Sequence, residues 1–152
     1  MAKIKIKISN LYKVFGDNPK AAMEHVRTGA TKQSLLDDHR HVLGLRDINI
    51  DIPEKKIKVV MGLSGSGKST LIRHINRLIE PTEGQVIVDG EDVLAMSQEE
   101  LREFRRHKSS MVFQKFALLP HRTVAQNAAY GLTIQGIAEG EAAERAQRWI
   151  DR

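Results

Sequence analysis

The most informative segment of this chain is nine residues long and reads Gly62-Leu63-Ser64-Gly65-Ser66-Gly67-Lys68-Ser69-Thr70. It has the Gly-x-x-x-x-Gly-Lys-Ser spacing of a phosphate-binding loop, in which glycines let successive backbone N–H groups turn toward an anion. The pattern predicts that Lys68 contacts the β- and γ-phosphates of a nucleotide, that the Ser69 hydroxyl ligates Mg²⁺, and that Thr70 supports the neighbouring phosphate. A glycine-rich turn that contains a lysine by chance is the alternative.

The sequence on either side of this loop argues against the chance alternative. Residues 57–61, before the loop, are apolar and mostly β-branched, which predicts a buried strand. After the loop, apolar residues recur at the spacing of a helix with one buried face, namely Leu71, Ile72, Ile75, Leu78 and Ile79. A strand, a glycine loop and a helix in this order form the context that the motif requires. The sequence therefore predicts an α/β fold with a site for a nucleoside triphosphate.

The composition is that of an ordinary globular domain. Of the 152 residues, 41% are hydrophobic and 28% are charged. There is no apolar run of about 18 residues and no signal-peptide pattern at the lysine-rich start, so we expect a cytoplasmic protein. The absence of cysteine excludes disulfides, zinc–thiolate sites and thiol catalysis. The net charge of +5 suits phosphate ligands or an anionic membrane as well as nucleic acid, so charge alone does not identify a partner.

The amino-terminal part predicts two paired strands separated by an insertion. Residues 3–8 alternate isoleucine with lysine, which predicts a strand whose outward lysines protect an exposed sheet edge rather than bind lipid. Residues 45–52 alternate again and should pair with the first strand before Pro53 breaks the run. The polar residues 17–42 between the two strands contain two helix-compatible segments and predict a helical insertion.

Asp89 has two possible interpretations. Residues 85–90 predict a strand that ends in an Asp-Gly turn. An acid at the end of an apolar strand can bind Mg²⁺, but the turn and the following Glu91-Asp92-Val93 favour a hairpin.

Farther along, Ser97 and Glu100 have the spacing of a capping box and begin a predicted helix with one basic face. Because no aromatic residues are interleaved with the basic ones, a solvated surface is favoured over a nucleic-acid interface. Residues 109–113 predict a second core strand, which ends at Gln114, a place where open α/β sheets meet their ligands. Thr123 then caps a predicted helix that runs to about residue 134, and residues 141–150 predict another.

Together these residues resemble the ATP-binding subunits of ABC transporters, and within them most closely the glycine betaine/proline (quaternary amine) importers. The similarity runs through residues 13–16, 61–71, 76–84 and 111–124. It implies an α/β P-loop NTPase fold with an incomplete, RecA-like parallel core, an antiparallel β subdomain and the start of a helical subdomain. Residues 1–113 would form the core and the β subdomain, with 17–42 as the importers' helical insertion. Residues 114–152 would form the Q-loop and the start of the helical subdomain.

The resemblance also assigns roles to residues. Phe15 corresponds to the aromatic residue that stacks on adenine, although a core position at a strand end is the alternative. All nine residues from Gly62 to Thr70 would contact the nucleotide. Gln114 corresponds to the Q-loop glutamine, a catalytic residue that helps hold Mg²⁺ and the attacking water, with an ordinary polar loop residue as the alternative.

The same resemblance implies cofactors and partners. The cofactors are ATP and Mg²⁺. The partners are a transmembrane permease, a second ATP-binding subunit in a homodimer and, indirectly, a periplasmic or extracellular substrate-binding protein, with no nucleic acid. The implied location is peripheral, at the cytoplasmic face of the inner membrane.

The sequence also departs from the family pattern. Lys55-Lys56 stands where members have Gly-Glu, and the 152 residues contain neither the Leu-Ser-Gly-Gly-Gln signature nor the Asp-Glu strand end nor the switch histidine. We therefore expect an amino-terminal portion that binds ATP weakly and hydrolyses it negligibly. The alternatives are a P-loop nucleotide kinase and a non-catalytic nucleotide-binding interaction module.

Overall fold

The structure, a computed structural model, describes residues 3–114 and 116–152 and divides into two compact units, Met1–Met96 and Ser97–Arg152. In chain order, the first unit contains β1 (Ile4–Phe15), α1 (Pro19–Arg27), α2 (Lys32–His39), β2 (Val42–Pro53), α3 (Lys68–Ile75), β3 (Glu83–Val88) and β4 (Glu91–Asp92). The second unit contains α4 (Gln98–His107), α5 (Val124–Ile134) and α6 (Glu139–Ile150).

The first unit contains a four-stranded antiparallel sheet with the strand order β2-β1-β3-β4. β1 pairs with β2 from Ile4 opposite Pro53 to Phe15 opposite Val42, which confirms the pairing predicted for residues 45–52. β1 also pairs with β3 on its other side. The interpretation of its lysines as edge protection is therefore wrong, because β1 is an interior strand.

The insertion is a folded part of this unit. One apolar cluster joins Val14 and Leu43 of the sheet to α1 and α2, whose contributions are Ala22, Met23, Val26 and Leu35. α1 begins at Asn18, whose side chain accepts a hydrogen bond from the Ala21 N–H, and has proline at its first position. α2 begins with a capping box between Thr31 and Ser34. The helical insertion predicted for these residues is thus confirmed, and it consists of two helices docked on the sheet.

The turn after Val88 confirms the hairpin interpretation of Asp89. Asp89 and Gly90 both have positive φ, 53° and 87°, as a tight hairpin turn requires. The Asp89 carboxylate lies 2.6 Å from the Lys5 ammonium on β1. Its partner is therefore a lysine of the sheet.

The departure at Lys55 has a visible backbone consequence. Lys55 is the second residue after β2 and adopts a φ of 59°, in the left-handed region that glycine occupies at least cost. The glycine that the resemblance leads us to expect at this position would relieve that strain.

The prediction of core strands at residues 57–61 and 109–113 is wrong, since both segments have an irregular conformation in the structure. Ile57, Met61 and Val112 are 94%, 86% and 98% exposed. A parallel strand takes its hydrogen bonds and its burial from neighbouring strands. Over residues 3–114 and 116–152, every strand pair is antiparallel, and neither segment takes part in one. An apolar run indicates a preference for burial and does not supply the neighbour.

The second unit is helical. Ser97 and Glu100 form the capping box predicted for α4, and Thr123 forms one with Gln126 at the start of α5. On the basic face of α4, Arg106 and His107 lie 2.6 and 3.3 Å from the Glu103 carboxylate, as on a solvated helix surface. Every helix that the structure describes is too short or too polar to cross a bilayer.

Candidate functional site

The phosphate-binding loop leads directly into α3, and its path depends on glycine. Gly67, the residue before the helix, has φ 94° and ψ 2°, and Gly65 has φ 75°. Residues with a Cβ rarely adopt these angles. A Cβ on Gly67 would also lie 2.6 Å from the Gly44 carbonyl oxygen on β2. Gly67 is therefore required both by its conformation and by the close approach of the loop to the sheet.

The amino-terminal end of α3 is open to a ligand. Within the described part of the chain, no side chain caps this helix at Gly67. The first N–H groups of a helix have no partner inside it and carry the positive end of the helix dipole. They are therefore available to an anion held by the loop.

Lys68 lies folded over the loop. Its ammonium donates hydrogen bonds to the carbonyl oxygens of Gly62 and Leu63, at 2.7 and 2.6 Å, and lies 3.4 Å from Ser66 Oγ. These partners are neutral, so a phosphate oxygen would be a stronger acceptor at the same place. The observed position fits the predicted contact with the phosphates.

The polar residues of the loop are accessible. Ser64, Ser66 and Ser69 are exposed, and Thr70 is half-buried on the first turn of α3. The described residues contain no group of three or more His, Cys, Asp or Glu side chains that could hold a metal ion. Mg²⁺ bound with a nucleotide takes most of its ligands from phosphates and water, so a single hydroxyl such as that of Ser69 fits this role.

The structure brings Phe15 and the loop together at Gly44. Phe15 ends β1 with its side chain 39% exposed, and a Cβ on Gly44 would lie 2.7 Å from the ring atom Cε2. Gly67 approaches the same residue from the other side, as described above. Sequence reasoning missed Gly44, although a glycine inside an alternating strand is a known signal of close backbone approach.

Lys13 also contacts the Phe15 ring. Its ammonium lies 4.9 Å from the ring centroid and donates a 2.8 Å hydrogen bond to the Glu80 carbonyl oxygen. Burial lowers the pKa of Lys13, and the Glu80 carboxylate opposes part of that effect. One face of the Phe15 ring therefore contacts a cation.

The buried face of α3 differs from the predicted one. Leu71 is buried, but Ile72 is 44% exposed and the helix ends at Ile75, before Leu78 and Ile79. His74 is fully buried instead. Sequence reasoning assigned no role to this histidine, because its polarity gave no signal of burial.

His74 carries both a satisfied and an unsatisfied ring nitrogen. Nδ1 lies 2.6 Å from the Thr70 carbonyl oxygen, whereas Nε2 has no hydrogen-bond partner among the residues that the structure describes. Burial lowers the pKa of His74, and the nearby Lys13 charge adds to this. The hydrogen bond to Thr70 and the Glu80 charge act in the opposite direction. The net effect is a lowered pKa, which favours the neutral ring at this buried position in the last turn of α3.

Gln114 lies in the second unit, where its side chain is exposed at a bend, and its role stays a prediction.

The turn at residues 119–123 is fixed by Asn127 of α5. The Asn127 Oδ1 accepts from the Leu119 N–H at 2.8 Å, and its Nδ2 lies 3.0 to 3.1 Å from the carbonyl oxygens of Leu119, Arg122 and Thr123. Asn127 is a structural residue that the sequence did not reveal.

Comparison with known proteins places the loop in a family context. A family model described as "ABC transporter" matches residues 45–152. The glycine betaine/proline betaine transport system ATP-binding protein ProV of Salmonella typhimurium is 50% identical over 143 residues, 94% of this chain and 36% of that protein. The glycine betaine transport ATP-binding protein OpuAA of Bacillus subtilis is 47% identical over 143 residues, 94% of this chain and 34% of that protein.

The chain thus spans about a third of the length of these two curated relatives. The trimethylamine N-oxide transport system ATP-binding protein TmoW of Pelagibacter ubique is 42% identical over 145 residues, 95% of this chain and 42% of that protein.

Solved structures support the same fold. The dimeric post-hydrolysis state of the ATP-binding cassette MJ0796, bound to ADP and Pi, superposes with a TM-score of 0.74 at 29% identity. The superposition covers 94% of this chain and 54% of that one. The α/β P-loop NTPase fold is thereby confirmed, even though the two core segments are not strands here.

Proposed function

The chain belongs to the ABC transporter family, and from this premise we propose that it is the nucleotide-binding portion of an ATP-driven importer subunit and binds ATP with Mg²⁺. The family assignment favours this function over a nucleotide kinase. Because the chain spans about a third of its curated relatives, the activity of a whole subunit is part of the proposal.

The geometry of residues 62–68 carries the proposal. A left-handed Gly67 opens the loop onto an uncapped helix end, and the Lys68 ammonium rests on two neutral carbonyl oxygens beside it. Such a cradle provides N–H donors, a helix dipole and a point charge for a triphosphate. Phe15, which reaches the same strand residue as the loop, provides an exposed aromatic face for the adenine ring.

The chemistry follows from charge. In a whole subunit, we propose that water attacks the γ-phosphate in line while the bond from the γ-phosphorus to the bridging oxygen breaks, so that ADP and phosphate leave. Lys68 and the loop N–H groups would stabilise the charge that develops. Bound Mg²⁺ would neutralise charge on the β- and γ-phosphates. Ser69 and Gln114 would hold it, and Gln114 would also orient the water. The 152 residues contain no strand that ends in Asp-Glu, the pair expected to supply the base, so we propose binding with negligible turnover for this chain.

The proposed cargo is glycine betaine, proline or a related quaternary amine. The names of the relatives that are 50% and 47% identical support this class, and the trimethylamine N-oxide relative indicates a chemically close cargo. The proposed partners are a permease, a second ATP-binding subunit and, indirectly, a substrate-binding protein. The dimeric form of the solved cassette supports the second of these. We place the protein at the cytoplasmic face of the membrane.

A titration of fluorescent ATP into the chain in the presence of Mg²⁺ tests the proposal. Lys68→Ala should weaken binding by more than about tenfold, because it removes a charge-assisted hydrogen bond of about 1.5 to 3 kcal/mol. Lys20→Ala, on the exposed surface of α1, is the matched control and should bind like the unmodified chain. Equal affinity for Lys68→Ala and the control would contradict the proposal. Phosphate release at the rate of a working transporter would contradict its claim of negligible turnover.

A further inference from the structure

A hydrogen bond joins the helical insertion to the phosphate loop. Lys32, the first residue of α2, donates a hydrogen bond from its ammonium to the carbonyl oxygen of Gly65, at 3.4 Å. Lys32 is exposed, and Gly65 lies at the tip of the loop, where a Cβ would meet no atom within 4 Å. The insertion therefore places a mobile cation beside the open side of the loop.

This placement rests on a rigid support. Met23 of α1 and Leu35 of α2 are fully buried. The Arg46 guanidinium on β2 also donates a 2.7 Å hydrogen bond to the Val26 carbonyl oxygen of α1. Because the insertion is packed on the sheet that also carries Gly44, the position of Lys32 relative to the loop is set by the fold.

The insertion also lies along the candidate site. Its two chain ends meet next to Phe15, where the His41 ring lies close to Gly16, and its second helix begins beside Gly65. The insertion thus lies near two proposed positions, that of the adenine and that of the phosphates. Of these two, only the phosphates are anionic and can attract the Lys32 ammonium.

The present partner of Lys32 is weak. A distance of 3.4 Å to a neutral carbonyl is long for a hydrogen bond, and a lysine ammonium on a four-carbon stem can reorient at little cost. A triphosphate held by the loop carries several negative charges within a few ångströms of this ammonium. The ion pair should replace the carbonyl contact when the loop is occupied.

We propose that Lys32 is a further nucleotide-binding residue, which leaves the Gly65 carbonyl and pairs with phosphate oxygens of the bound nucleotide. The bound nucleotide then holds the start of α2, which carries Lys32. This inference rests on the proposed function, because it requires a nucleotide in the loop.

The test compares Mg·ATP binding of the unmodified chain with that of Lys32→Gln, Lys32→Arg and the control Lys20→Gln. Lys32→Gln keeps a hydrogen-bond donor but no charge, and it should weaken binding about three- to tenfold, as expected for one partly exposed ion pair. Lys32→Arg should restore most of the affinity, and Lys20→Gln should leave it unchanged. The effect of Lys32→Gln should shrink as salt is raised and should vanish when adenosine replaces ATP.

A second measurement separates a phosphate contact from a structural tie. Hydrogen exchange of residues 31–39 should slow when Mg·ATP is added to the unmodified chain, and this protection should be lost in Lys32→Gln. If Lys32→Gln binds ATP and is protected like the unmodified chain, while Lys68→Ala loses binding, the inference is wrong and the proposed function stands. If the unmodified chain does not bind ATP, the proposed function fails and the inference fails with it.

Discussion

The insertion and the segment before the phosphate loop show two fates of apolar sequence within one unit. Four apolar side chains of α1 and α2 are buried because the ends of β1 and β2 lie against them, namely Ala22, Met23, Val26 and Leu35, and Met23 and Leu35 are both at 0% exposure. Residues 57–61 are no less apolar, yet Ile57 is 94% exposed. The difference is the presence of a partner surface. An apolar segment becomes ordered when some other part of the structure covers it.

Alanine substitution should make this contrast quantitative. Leu35→Ala should lower the free energy of unfolding by about 2 to 5 kcal/mol, because it opens a cavity in a fully buried cluster. Ile57→Ala should change it by less than about 0.5 kcal/mol, as an exposed position allows. Urea titration followed by circular dichroism measures both. A loss at Ile57 as large as that at Leu35 would show that residues 57–61 are buried and would remove the contrast.

A second prediction concerns a turn that is ordered by hydrogen bonds. In the second unit, the turn at residues 119–123 is held by Asn127 rather than by apolar burial. Asn127→Asp replaces the Nδ2 donor with an oxygen that faces carbonyl oxygens, so we expect a loss of about 1 to 3 kcal/mol. Trp149, the single tryptophan of the chain, lies on α6 and reports on this unit by fluorescence.

The control for that prediction is Gln126→Ala, one residue away on α5. It removes only the capping-box contact with the Thr123 N–H at 2.9 Å, and should cost less than Asn127→Asp. Equal losses for the two variants would indicate that the cap, and not the network around Asn127, orders the turn.

The sequence was sufficient wherever local chemistry determines local structure. The caps at Ser97 and Thr123 and the Asp-Gly hairpin turn were all predicted and all formed, because the residues that make each contact are a few positions apart. The phosphate loop belongs to this class, since its glycines and its lysine lie within one turn of chain. The fold class followed from the same motif.

What the sequence could not supply were contacts between distant segments. The pairing of β1 with β3 makes β1 an interior strand, and nothing in the alternation of residues 3–8 reveals this second neighbour. Gly44 meets both Phe15 and Gly67 only after the sheet has formed. Residues 57–61 illustrate the opposite case. Their apolar side chains favour burial, but they do not show that a neighbouring strand exists to cover them.

Gly44 offers a third prediction, in which the ordered sheet positions the exposed loop. In Gly44→Ala, the new methyl group would collide with the Phe15 ring, so the ring must shift and ATP affinity should fall about tenfold, the loss expected from about 1.4 kcal/mol of misplaced stacking. Phe15→Ala should cause a similar loss by itself. Binding of fluorescent ATP to both single variants and to the double variant measures the coupling.

If Phe15 and Gly44 act together, the double variant should bind about as well as Phe15→Ala alone. Additive losses would mean that the methyl group disturbs the loop at Gly67 and not the ring of Phe15. Either outcome identifies which of the two contacts of Gly44 matters for the nucleotide.

The smallest predicted effect concerns His74, a polar side chain that is fully buried like Met23 and Leu35. Burial lowers its pKa in the folded chain, so below the ordinary histidine value of about 6.5 the unfolded chain binds a proton that the folded chain does not. The free energy of unfolding should therefore decrease as the pH falls below about 6.5, until the folded-state pKa is reached. His74→Leu should flatten this part of the profile, because leucine fills the buried site without titrating.

His25→Leu, at an exposed position on α1, is the control for general loss of a histidine. Urea titrations at several pH values between about 4 and 8 measure the difference. A profile for His74→Leu as steep as that of the unmodified chain would show that other groups cause the pH dependence and that burial does not lower the pKa of His74.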